Sequence, residues 1–189
     1  MTAGAPSDVA ALLSGPVLEV APRLLGLRLR TAIGGEATEV MLAEVEAYAG
    51  EHDPASHAFR GRTRRNGSMF GPPGTLYVYR SYGLHWCMNI VTGVEGVPHA
   101  VLLRGGVPLD GEPTMVTRRG RRDHIADGPG KLTQALGVSG ELDGSSVLDG
   151  PVVLLPGEPS PETTILATPR IGVTKATDRP WRFVLAQRH

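Results

Sequence analysis

The chain has 189 residues, which predicts one domain or two small ones, and a chain of that length buries about 70% of the surface that its unfolded form exposes. An apolar share of 41% excludes wholesale disorder, and 25 glycines with 16 prolines predict many turns and exclude a plain helical bundle. The 19 basic and 19 acidic residues cancel, so net charge argues neither for nor against a polyanionic partner.

In chain order, residues 1–15 are expected to form a loose N-terminal tail ahead of a single domain over 16–189. Within that tail Ser7 or Asp8 can cap a short helix ending at Leu13, before Ser14-Gly15-Pro16 breaks it. A helix is predicted over 17–25, stopped by Gly26. Residues 27–33 and 37–48 then read as two strands joined by the turn Gly34-Gly35, a β-hairpin. Residues 49–74 carry His, Arg, Gly and Pro without periodicity, and a loop of that length in a compact domain is usually functional. Strands follow at 75–79 and 84–91 around the turn Ser81-Tyr82-Gly83, and again at 100–104. Helices are predicted over 114–122 and 131–136, the second stopped by Gly137. Late strands are expected at 151–155, 163–168 and 181–186. Strands that succeed one another without helical crossovers predict a mainly antiparallel sheet in an α+β fold.

No segment approaches the roughly 20 apolar residues that span a bilayer, and the first thirty residues lack a signal-peptide pattern. A cytoplasmic protein away from membranes is expected. Asn66-Gly67-Ser68 fits a glycosylation sequon, but nothing else points to secretion. The single cysteine, Cys87, excludes an internal disulfide and reads as core packing within an apolar run. Arg60, Arg62, Arg64 and Arg65 form one basic cluster and Arg118, Arg119, Arg121 and Arg122 another. Either can be a solvated loop, and the pair together tilts toward phosphate contact.

The chemistry-bearing candidates begin at Glu44-Val45-Glu46-Ala47-Tyr48. On a strand Glu44, Glu46 and Tyr48 share one face. That face is either a half-exposed polar surface or a general base beside an aromatic stacking wall. Tyr77 and Tyr79 likewise share a face. Tyr82 at a hairpin tip is either an edge-packed ring or a wedge between stacked bases. His52 and His57 with Glu46 and Asp53 can be read as a metal site, although their spacing matches no two-histidine helix motif. Phosphate-cradling and dinucleotide fingerprints are missing. The residues alone therefore reach only a soluble α+β domain, with a nucleic-acid-acting enzyme as one reading left open.

At these residues the sequence resembles the alkyladenine (3-methyladenine) DNA glycosylase family. The resemblance rests on Glu44-Val45-Glu46-Ala47-Tyr48, Asp53-Pro54-Ala55-Ser56-His57, Arg65-Asn66-Gly67-Ser68-Met69-Phe70 and Pro73-Gly74-Thr75-Leu76-Tyr77-Val78-Tyr79. It continues through Tyr82-Gly83, Cys87-Met88-Asn89-Ile90, Val101-Leu102-Leu103-Arg104, Gly128-Pro129-Gly130-Lys131-Leu132 and Arg170-Ile171-Gly172-Val173, from about residue 16 to 186.

The resemblance implies a single compact domain around a curved antiparallel sheet surrounded by helices. It implies a monomeric, monofunctional glycosylase with no cofactor, no metal and no Schiff-base lysine, whose partner is double-stranded DNA containing a damaged purine. It makes Glu46 the base that activates water, with Arg104 and the backbone carbonyl of Ile171 holding that water. It makes Tyr48, His57 and Tyr79 the walls around a flipped base and Asn89 a gate against guanine's exocyclic amine. It puts Tyr82 into the vacated stack and places Tyr77, Arg119 and Lys131 on DNA. Arg80 and Ser81 beside the wedge are more polar than the family's usual aliphatic pair, and the loop between Asn89 and Arg104 differs in length. Two other readings are a nucleic-acid-binding protein of the same fold without catalysis and a metal-dependent hydrolase built on Glu46, His52 and His57. Preference among 3-methyladenine, 7-methylguanine, hypoxanthine and ethenoadenine is not readable from the chain.

Overall fold

The computed structural model describes residues 6–187. Residues 1–5 of the expected tail lie outside the described residues, and the short helix expected to end at Leu13 is present. Helix α1 (Pro6–Leu13) buries Val9 and Leu13 in the core, because an apolar face one turn long still removes two side chains from water. Helix α2 (Val17–Arg23) follows and buries Val17, Val20 and Ala21. The hairpin β1 (Arg28–Ile33) and β2 (Glu36–Ala49) pairs in register from Arg28↔Met41 to Ile33↔Glu36.

After the long loop come β3 (Leu76–Ser81), β4 (His85–Thr92) and β5 (His99–Asp110), then helices α3 (Glu112–Arg119) and α4 (Pro129–Leu136). Strands β6 (Val152–Leu155), β7 (Thr163–Thr168) and β8 (Arg182–Gln187) complete the described chain. The antiparallel sheet runs β3-β4-β5-β2-β1-β6, with β8 on β2 and β7 on β8. Four short helices flank it, an α+β domain. Among the described residues no helix is long and apolar enough to cross a membrane.

Strand β2 is the spine. Its first half pairs with β1, its second half with β8, and its other edge with β5. Val40, Leu42, Val45 and Ala47 face the core with Leu29, Val101, Leu103 and the apolar stripes of α2 and α4. Each large side chain buried there contributes roughly 1.5–3 kcal/mol, which fixes the register and so turns Glu44, Glu46 and Tyr48 to the opposite face.

Three expectations shift. Strand β5 does not end at Arg104 but continues through Gly105, Gly106 and Pro108 to Asp110. The glycines are not breakers here: a Cβ on Gly106 would lie 2.8 Å from Val40, so β2 and β5 can approach only without one. Helix α3 stops at Arg119 rather than 122 because Gly120 takes a left-handed φ of 66° and caps it. Helix α4 starts two residues early, with Pro129 at its first turn, where the missing N–H costs nothing.

Candidate active site

A cavity of about 620 Å³ opens on the face of the sheet that carries Tyr48. Tyr48 from β2, His57 from the long loop, Tyr77 and Tyr79 from β3, Asn89 and Cys87 from β4, Arg104 from β5 and Ile171 line it. Seven of the eleven site residues expected from the resemblance therefore meet at one cavity; Tyr82 at its edge makes eight. Cys87, expected in the core, is a wall residue within hydrogen-bonding reach of Tyr79, and burial pushes its thiol up.

The aromatic walls form one cluster. Tyr77 and Tyr79 stack at 5.4 Å between centroids, and His57 meets Tyr79 edge-on at 4.5 Å. Nδ1 of His57 lies 3.0 Å from the Tyr77 hydroxyl. Burial, helped by the neighbouring Arg65 charge, holds His57 below its ordinary value, which favours the neutral ring at neutral pH. Burial likewise raises Tyr77 to about 12, and it raises Tyr48 and Tyr79 still further, so all three keep their hydroxyl protons. Tyr77, expected on DNA, lines the cavity but is only 1% exposed, with its hydroxyl against His57. The sequon residue Asn66 is also buried. It donates to the carbonyls of His57 and Gly61 and accepts from Thr63, so it sets the loop that presents His57 and cannot carry a glycan in this fold.

Glu46 is not part of an exposed polar face. It is 0% exposed and lies immediately behind the cavity wall. One oxygen, Oε2, accepts from the Tyr48 hydroxyl at 2.8 Å; the other, Oε1, accepts from the Ile171 amide at 2.8 Å and lies 3.3 Å from Arg104 Nε. A carboxylate has about four acceptor positions. Two hydrogen bonds occupy it here, Arg104 adds a cation at 3.3 Å, and all three residues line the cavity, so acceptor capacity remains on the carboxylate. Ile171 meets Glu46 through its N–H, a contact separate from the water-holding carbonyl that the resemblance implies.

Arg104 reaches this spot because of a bulge. Glu44 pairs with Gly105 and Val45 with Leu103, so Arg104 is skipped in the ladder and its side chain is re-aimed across the face. Its Nε donates to Glu44 at 2.7 Å, and Arg182 donates to the same oxygen at 2.7 Å. Burial alone would raise Glu44, but Arg182 and Arg104 outweigh it and hold its carboxyl below the ordinary value.

Two residues whose pairing is not readable from sequence spacing lie behind the wall. Asp53 and Arg170 form a buried ion pair in which Arg170 also donates to the Ala47 carbonyl at 2.9 Å and stacks on Tyr48 at 4.6 Å. They are 117 positions apart, so no local pattern connects them.

At the cavity mouth Tyr82 stands 92% exposed, with its backbone in the left-handed region at φ 49°. That conformation is uncommon for a residue with a Cβ, and here it aims the ring away from the sheet. Arg65 and Lys175 also line the cavity. The two remaining expected DNA contacts sit apart from the cavity. Lys131 on α4 bonds Asp127, and the start of α4 packs on the β3–β4 hairpin, where Gly130 touches His85. Arg119 is committed to Gln134 and the His124 carbonyl. Its neighbour Arg118 donates to the carbonyls of Ile33 and Ala135, so half of the second basic cluster is internal scaffolding. His52 does not join His57, and among the described residues no three His, Cys, Asp or Glu side chains converge as metal ligands.

A family model described as Methylpurine-DNA glycosylase (MPG) matches residues 11–189. A Chlorobaculum parvum protein named "Putative 3-methyladenine DNA glycosylase" is 50% identical over 178 residues, covering 92% of this chain and 85% of its own length. Proteins of the same name from Methanoculleus marisnigri and Frankia casuarinae are 52% identical over 150 residues and 43% over 198; they cover 76% and 98% of this chain and 77% and 92% of their own length. With a model spanning nearly the whole sequence and relatives this similar, the chain belongs to the methylpurine-DNA glycosylase family of DNA N-glycosylases.

Proposed function

We propose that the protein extrudes an alkylated or deaminated purine nucleotide from duplex DNA into the cavity and hydrolyses its N-glycosidic bond with a water held by Glu46. The observation that carries this reading is the carboxylate of Glu46 set behind an aromatic cavity, held by two hydrogen bonds and the Arg104 cation, all from residues that line that cavity. Tyr48, His57 and Tyr79 are the walls for the flipped base. An electron-poor alkylated purine stacks well on electron-rich rings, as a cation does. Asn89, whose amide is pinned by the Tyr77 carbonyl at 3.1 Å, is the gate at the base's edge. Arg104 and Ile171 fix the water-holding carboxylate, and the anion sits where positive charge develops on the sugar as the bond breaks.

Outside the cavity, Tyr82 is the wedge that fills the vacated stack. Phosphate contacts fall to Arg65, Lys175 and Lys131, which set register and affinity without reading sequence. Arg119 is a weaker candidate because both of its terminal nitrogens already bond within the protein. The substrate is double-stranded DNA with a damaged purine, the acting form is a monomer, and the site of action is the cytoplasm. No step calls for a cofactor.

The direct test is single-turnover excision from duplexes that each carry one 3-methyladenine, 7-methylguanine, hypoxanthine or ethenoadenine, against undamaged purines. Release of at least one lesion base with undamaged adenine and guanine untouched is expected. Release of none would sink the reading. In the same assay Tyr82→Ala is expected to slow excision of a paired hypoxanthine by about tenfold, since a stacked aromatic is worth about 1–3 kcal/mol. The loss should largely vanish when the lesion lies in an unpaired bubble, because extrusion then costs less. An equal loss in both duplexes would contradict the wedge role.

A further inference from the structure

Tyr48 and Glu46 share one strand, yet what fixes them joins the loop directly after that strand to a segment 117 positions beyond it. Arg170 places both terminal nitrogens on the Asp53 carboxylate, and both side chains are completely buried. The same guanidinium bonds the Ala47 carbonyl at 2.9 Å and lies 4.6 Å from the Tyr48 ring centroid. The next residue, Ile171, places its amide on Glu46. Asp53 in turn accepts from the amides of Ala49 at 3.4 Å and Ala55 at 3.2 Å, so it ties the end of β2 to the loop leading to His57. One ion pair thus holds the strand end, the histidine loop and the segment over Glu46 in one frame.

A buried ion pair is weak evidence for stability, because apolar residues of similar volume often serve as well or better. This pair also leaves Nε of Arg170 buried without a partner. Its orientation satisfies the carboxylate and the tyrosine face ahead of its own full set of donors. Arg170 does not line the cavity, whereas Tyr48 and Ile171 do.

We infer that Asp53 and Arg170 are positioning residues for the glycosylase reaction: the pair sets the Tyr48 ring and the Ile171 amide, and through them the orientation of the Glu46 carboxylate. This rests on the proposed roles of Glu46 and Tyr48. Stacking tolerates small displacements because it depends on area, while attack of a held water on the sugar does not. A misplacement near 1 Å costs about a hundredfold in rate. The pair's removal therefore falls on the chemical step more than on binding.

The test uses Asp53→Asn, Arg170→Lys and the neutral double variant Asp53→Asn/Arg170→Gln. Three quantities are measured: the single-turnover rate on a hypoxanthine duplex, the Kd for the same duplex with a hydrolysis-resistant 2′-fluoro hypoxanthine nucleotide, and the Tm by circular dichroism. Asp53→Asn is expected to lower the rate by about a hundredfold with the Kd nearly unchanged, at a temperature where the protein is folded. Arg170→Lys keeps the charge without the fork and is expected to fall between that variant and wild type. The double variant is expected to regain Tm without regaining rate. A rate that returns with Tm, or a wild-type rate in Asp53→Asn, would overturn the inference. Should Asp53→Asn not fold, Arg170→Lys and the double variant decide the matter by the same comparison. A Glu46→Gln variant with wild-type rate would fail the proposed mechanism itself, whereas a dead Glu46→Gln beside a fully active Asp53→Asn would remove only the positioning role.

Discussion

Glu46→Gln is expected to lower single-turnover excision of hypoxanthine by at least about a thousandfold, within the range that a general base contributes, while leaving the affinity for lesion-bearing duplex nearly intact. The substitution is close to isosteric, and the site can accept it. The amide oxygen can keep the Ile171 N–H and Arg104, which only donate. The new NH2 then faces the Tyr48 hydroxyl, which can turn and accept. The fold and the aromatic walls therefore survive, and what disappears is the ability to take a proton from water and to offset charge on the sugar. Binding is measured on a duplex with a 2′-fluoro hypoxanthine nucleotide, which holds the ground state. A variant that excises at the wild-type rate would remove Glu46 from the mechanism. A variant that loses affinity and rate together would make Glu46 a binding group instead.

What the sequence made legible was local. The turn Gly34-Gly35 and the alternation of Val45 and Ala47 against Glu44, Glu46 and Tyr48 predicted both the hairpin and the face on which the site lies, since strand periodicity needs no tertiary information. What it hid was set by partners far along the chain. Gly105 and Gly106 look like a strand end, and only the close approach to Val40 shows why they continue one. Tyr77 and Tyr79 read as equivalent by spacing, and both line the cavity, but only Tyr77 is almost fully buried, with its hydroxyl against His57. Arg118 looked like part of a phosphate patch until the carbonyls of Ile33 and Ala135 claimed it. Asp53 and Arg170 lie in stretches that carry the family resemblance, yet their pairing across the fold has no signature in either stretch.

Arg104→Met should show that the two carboxylates behind the cavity need a cation between them. Arg104 lies 2.7 Å from Glu44 and 3.3 Å from Glu46, and both carboxylates are largely buried. Removing it leaves Glu44 with Arg182 alone and leaves Glu46 with no cation between it and Glu44. Breaking a buried pair from one side costs about 3–5 kcal/mol, and the retained Arg182 favours the lower end. The pH dependence has a definite sign. Because Glu44 is held below its ordinary value when folded, its contribution to stability is present above the unfolded value and is lost as pH falls through the folded one. Without Arg104 that depression shrinks, so the variant's deficit is largest near neutral pH and narrows in acid, where protonation relieves the repulsion. Urea unfolding of wild type and variant from pH 3 to 7 checks the sign, because the Glu44 contribution is lost only below its ordinary value of 4.5. A deficit that stays constant across that range would mean that the lost stability does not come from the Glu44 carboxylate.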